Sequence, residues 1–257
     1  MSFIEWLYSS YPNPHIDGQW GPLHICTLLL CIALIVTFAV VFRKKSQKSK
    51  NIVIWILVGL ILLFEVARRI INLCKTEDYS LHNILVILLP RPWCAISCWA
   101  LMISALVRKD WFYNFASTSA LLCAIIFFAY PEVGFNNEYI LFENLYSICT
   151  HSLLLITSIT LITLGFTRFD LKTLWKTLLC YVVVYGYAFL EIFALQIEDD
   201  PLYFMPNGDI QEILSVSYGV YLTIYILFII LYLGAFYLSS YLRRKKLNKN
   251  SNSQIGA

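Results

Sequence analysis

The sequence predicts an all-α polytopic membrane protein, seven transmembrane helices in one bundle, and three observations predict it. Composition is the first: 59% of the residues are hydrophobic and only 14% charged, too apolar for a water-soluble domain of 257 residues. The apolar residues also gather into seven runs, each near the roughly 20 needed to cross a bilayer. Finally, the basic residues collect on loops that would share one membrane face. Arg43, Lys44, Lys45, Lys48 and Lys50, then Arg108 and Lys109, then Arg168, Lys172 and Lys176, then Arg243, Arg244, Lys245, Lys246 and Lys249 fall there, with only Asp110 and Asp170 among the acids. Positive loops stay inside, so the N-terminus is expected outside and the C-terminus in the cytoplasm.

In chain order, residues 1–21 form an extracytoplasmic or interfacial segment. It lacks the basic start of a cleavable signal peptide. Its SFIEWLYSSY stretch fits a short amphipathic helix on the membrane surface or a partly ordered tail. Residues 22–239 are the seven-helix domain, with spans at about 22–42, 52–72, 88–107, 111–130, 142–166, 173–196 and 214–239. The basic tail, 240–257, would suggest nucleic acid in a soluble protein. Beside membrane spans it reads as a topology signal facing anionic lipid, and no nucleic-acid partner is expected. No internal repeat of the transporter kind is found. The eight cysteines fall almost wholly inside the expected spans, without the extracellular spacing that suggests a disulfide framework.

The third span has an unusual beginning: Leu88-Leu89-Pro90-Arg91-Pro92-Trp93-Cys94. Prolines at 90 and 92 push Leu89 and Arg91 into extended conformations, so a helix arriving from Leu81 should stop there. Proline is also favoured as the first residue of a new helix. If Pro92 starts that helix, Cys94 lies in its first turn, where the helix dipole and free N–H groups favour thiolate. The backbone N–H groups at 93–95 are then placed to receive an oxyanion.

Ionisable groups within spans are costly and are candidates for function by default. Under the expected orientation His24, Glu65, Arg68, Arg69, Arg91, Glu143, His151 and Glu191 all belong to the outer ends of spans. His151 lies roughly 13 Å below the start of its helix, with Cys94 somewhat shallower. Each has a plainer reading as well. The arginines can snorkel to headgroups, Glu65 can neutralise Arg69 four residues on, and His24, Glu143 and Glu191 can be interfacial. His151, flanked by Cys149, Thr150 and Ser152, fits a buried hydrogen-bonded ring as well as a catalytic base, and membrane cysteines often act as small hydrophobes.

These stretches together resemble the YwaF-like integral membrane proteins of bacteria and their animal relatives, acyltransferases of ether-phospholipid metabolism. The likeness rests on Pro22-Leu23-His24 at the top of the first span and on Leu89-Pro90 leading to Cys94. Tyr130-Pro131 closing the fourth span and Cys149-Thr150-His151 in the fifth complete it. It covers about residues 20 to 235. The resemblance implies that Cys94 and His151 act together. Two departures stand out: bacterial members carry a histidine where this chain has Pro92, and the DPLYFMPNGD connection is its own.

The favoured expectation is an acyltransferase or acyl hydrolase of the cell membrane acting on phospholipid or lysophospholipid, without a cofactor. Cys94 would be the nucleophile and His151 the base, through a thioester. Arg68, Arg69 and Arg91 would hold the headgroup phosphate, with His24, Glu65, Glu143 and Glu191 in the same polar layer. Two alternatives stay open. One is a metal site using Cys94 and Cys98 with His151 or His24. The other is a non-enzymatic seven-span ligand-binding or transport-related protein.

Overall fold

The computed structural model describes residues 20–129, 135, 140–196, 202–206, 211 and 214–255. The expected surface helix at 2–11, Tyr130-Pro131 and the acidic turn 198–200 lie outside the described residues, as does much of the 200–209 connection. The described chain is helical: α1 (Pro22–Phe42), α2 (Gln47–Lys75), α3 (Leu81–Leu88), α4 (Trp93–Val107), α5 (Asp110–Ala129), α6 (Phe142–Thr163), a 3-10 turn (Leu171–Thr173), α7 (Leu174–Ala194) and α8 (Tyr218–Ile255). No strand occurs among the described residues. Among the described residues six helices are long and apolar enough to cross a membrane, and α3 with α4 makes a seventh candidate span broken by a 64° bend.

The break falls where the two prolines predict a stop and a restart, but the seventh candidate span begins at Leu81 rather than at the expected 88. α4 alone has 15 residues, about 22 Å of helix, short of the roughly 30 Å of hydrocarbon it would have to cross. Pro90 and Pro92 are the cause, since neither can donate to the helical ladder and each forces its predecessor out of the helical region. Leu89 is accordingly extended at the end of α3 (φ −67°, ψ 147°). Pro92 is the N-cap rather than the expected first helical residue, and Trp93 opens α4 one residue later. α8 runs on through the basic tail to Ile255.

Two compact units make up the chain. The first contains residues up to Lys109 together with Ala116–Phe166; the second contains Asp110–Phe115 and Thr167–Ala257. In the first, α6 packs against α1, α2 and α4, and α2 packs against α3 and α4. The buried face of α2 reads Val53, Ile54, Leu57, Val58, Ile61, Glu65 and Arg69, a helical stripe whose last two members are charged. Leu29, Leu30, Val36 and Val40 of α1 are exposed, the surface a helix presents when lipid rather than water surrounds it.

Local signals end these helices. Ser46 caps α2 through the Ser49 N–H and Ser80 caps α3 through the Asn83 N–H, each at 3.3 Å. α6 closes on Gly165, at φ +83°, where Phe166 N–H donates to the Leu161 carbonyl and Gly165 N–H to that of Ile162. Lys50 adds a bond from Nζ to the Leu164 carbonyl at 3.3 Å, a cation at the negative end of α6. In the second unit, the tyrosines Tyr218, Tyr221 and Tyr225 donate to the carbonyls of Phe204, Tyr203 and Leu202. They hold the described part of the connection before α8.

Candidate functional site

Cys94 is the second residue of α4. Its sulfur lies within hydrogen-bond reach of the Cys123 thiol on α5 and of the His151 ring on α6, and the Arg68 guanidinium acts on it through space. Within α4's first turn the Ala95 N–H turns back to the Pro92 carbonyl at 2.9 Å. The N–H groups left for an oxyanion are therefore those of Trp93 and Cys94, not the whole run 93–95. The turn is pinned from the side: Trp93 Nε1–H donates to Ser119 Oγ at 2.9 Å, and Ser97 Oγ meets the same hydroxyl at 2.9 Å. Ser119 is one helical turn before Cys123, so the bonds that fix α4 also set the two thiols side by side.

His151 is half-buried on α6. Its Nδ1 lies 2.8 Å from the Ser147 carbonyl. A carbonyl can only accept, so Nδ1 carries the proton and Nε2 keeps the lone pair. That tautomer is the one a base needs. The ring is also clamped face to face by Phe127, centroids 3.8 Å apart and planes 6° from parallel.

Glu65 is buried, and each of its oxygens has a partner. Arg69 Nη1 and, at 3.9 Å, Arg68 Nη2 face Oε2, while the Tyr146 hydroxyl donates to Oε1. Arg69 uses its other donors on backbone: Nε to the Leu88 carbonyl at 3.0 Å, Nη2 to that of Leu89 at 3.3 Å, and Nη1 to that of Glu65 at 3.1 Å. Arg68 Nη2 donates to the Arg91 carbonyl at 3.1 Å. The two arginines thus grip the break before α4. Leu88 and Leu89 end α3 with carbonyls that no helical N–H can reach. In hydrocarbon such carbonyls are expensive to leave bare.

The other expected residues are dispersed. His24 is buried in an aromatic cage, its ring 4.7 Å from Phe135, 4.8 Å from Trp20 and 5.9 Å from Phe128. Phe135 and Phe127 stand between it and His151. Glu143 is exposed in the first turn of α6, about 12 Å along the axis from His151, where a carboxylate suits the helix dipole. Glu191 lies in the second unit, buried, and accepts from the Tyr187 hydroxyl at 2.8 Å. Among the described residues no group of three or more His, Cys, Asp or Glu side chains is arranged to hold a metal. Cys123, Tyr146 and Phe127 were not anticipated. A faint signal existed for Cys123 and Phe127, four residues apart and so on one helix face.

A family model covering residues 19–241 matches this sequence, that of the TMEM164 family. The chain belongs to the TMEM164 family. Every residue just described falls inside the matched span. As a TMEM164 family member it is a membrane protein with several apolar helices. Nothing among curated proteins or solved structures matches it.

Proposed function

We infer that this TMEM164 family member is an acyltransferase, or acyl hydrolase, working on phospholipid or lysophospholipid within the cell membrane, N-terminus outside and C-terminus in the cytoplasm. The resemblance to YwaF-like proteins and their acyltransferase relatives points the same way. The observation that carries the reading is the meeting of Cys94 with His151, the latter holding its free lone pair on Nε2.

In this reading His151 Nε2 takes the thiol proton, and the Cys94 sulfur attacks the carbonyl carbon of an acyl ester. A carbon–sulfur bond forms, the ester carbon–oxygen bond breaks, and the departing alkoxide takes the proton back from the imidazolium. A lysolipid hydroxyl, or water, then gives its proton to Nε2 and attacks the thioester carbon, the carbon–sulfur bond breaks, and the departing thiolate takes that proton back from the imidazolium to restore the starting pair. The N–H groups of Trp93 and Cys94 hold the oxyanion in both steps. Arg91, half-buried three residues before the thiol, and Arg68, whose side chain is 20% exposed, supply positive charge for the headgroup phosphate. Arg69 is left out of that role because its donors are engaged by the break carbonyls and by Glu65.

Lipid profiling of cells carrying the native chain against cells carrying Cys94→Ala tests the reading. The variant is expected to accumulate at the native level and to lose the acyl exchange made by the native chain. An unchanged lipid profile between the two would end the proposal.

A further inference from the structure

The Glu65 carboxylate joins two elements that are far apart in sequence. On one side it holds Arg69, whose guanidinium grips the Leu88 and Leu89 carbonyls, and faces Arg68, which grips that of Arg91. Cys94 follows three residues after Arg91. On the other side it accepts from Tyr146, five residues before His151 on α6. The cations are seated over aromatic rings, Arg68 at 5.3 Å from the Tyr146 centroid and Arg69 at 5.6 Å from that of Trp99. Glu65 is 1% exposed and Tyr146 8%, so water does not compete for the link.

Satisfying the orphan carbonyls of α3 requires only the arginines. It does not require that their counter-ion be bonded to the helix that bears the histidine. That second bond is the unexplained feature. We propose that Glu65, through Tyr146 and Arg69, is a positioning residue that sets the separation between the Cys94 sulfur and the His151 ring. It touches neither reacting atom. It fixes the spacing of the two segments that carry them, and one buried carboxylate does so because a charge-assisted hydrogen bond is stronger and stiffer than a neutral one. The groups facing Cys94 are His151 on α6, Cys123 on α5 and Arg68 on α2. Of these, Arg68 meets Glu65 directly. This inference rests on the thiol–imidazole pairing proposed above, though not on the lipid chemistry.

The test uses the full chain in lipid nanodiscs, pulsed with iodoacetamide at neutral pH and mapped by peptide mass spectrometry in native, Glu65→Gln and Tyr146→Phe forms. Cys98 and Cys123, both buried, act as internal reporters of loosening. In both variants Cys94 is expected to label about tenfold more slowly, the effect of losing one hydrogen bond to a charged group, while Cys98 and Cys123 stay protected. Tyr146→Phe is the conservative arm, changing one oxygen. If Cys94 keeps its native rate in both variants, the positioning role is wrong and the thiol–imidazole pairing stands. If Cys98 and Cys123 become labelled together with Cys94, Glu65 is only a structural prop. If native Cys94 labels no faster than half-buried Cys149, the pairing itself fails, and this inference with it.

Discussion

The proton on Nδ1 of His151 is committed to the Ser147 carbonyl at 2.8 Å, and Phe127 holds the ring flat from one face. A glutamine at 151 keeps hydrogen-bonding capacity but cannot cycle a proton near neutral pH. His151→Gln is therefore expected to lower acyl transfer on the order of 100-fold or more, the usual contribution of a general base, with the protein folded. Turnover of the purified variant measures this. The pairing of Glu65 with Arg69 was legible in the sequence because four-residue spacing on a helix suffices to bring them together. Tyr146 was not, since its contact is made between helices. The arginine donors were also illegible: their partners are main-chain carbonyls, which every residue has, and only the fold reveals which ones lie open. Cys123 resembled seven other cysteines until α5 was packed beside α4.

At the scale of single helices, the proline pair decides the geometry. The stop before Pro90 and the restart near Cys94 could both be read from residue types. That α4 is too short to cross alone followed from where Trp93 and Val107 placed its ends. Gly165 offers a sharp check on helix termination. A Cβ there would meet nothing within 4 Å, so any cost of Gly165→Ala comes from its φ of +83°. About 1 kcal/mol of destabilisation is expected, read as a lower melting temperature. Asp170 gives a pH prediction. Its exposed carboxylate accepts from the Lys172 N–H at 3.0 Å and from Arg244 at 2.9 Å. The Lys172 N–H first, and the Arg244 guanidinium second, hold its carboxyl below the ordinary range. A group with a lowered folded value stabilises fully above its unfolded value of about 3.9 and ceases to as pH falls through the folded one. Protection of the Lys172 amide from exchange should thus persist at about pH 5, fade only below the ordinary carboxylate range, and be lost at neutral pH in Asp170→Ala, which has no side-chain acceptor for it.

For the molecule as a whole, the number of crossings turns on the bent pair. If α3 and α4 together form one span, the described helices cross seven times and the tail ends opposite the side from which α1 sets out. A re-entrant pair would return it to the same side. Tags placed before Trp20 and after Ile255 should be reached from outside and from the cytoplasm respectively, as the basic loops require. A finding that both lie on one side would make the pair re-entrant. The central claim is chemical, however, and is tested most directly by looking for acyl carried on sulfur. The full chain is incubated with phospholipid, quenched in acid and digested, and the peptide containing Cys94 is weighed. The account predicts a mass increase equal to one fatty acyl group on Cys94, removable by neutral hydroxylamine and missing in His151→Gln. An unmodified Cys94 peptide, with acyl transfer continuing in Cys94→Ala, would contradict it.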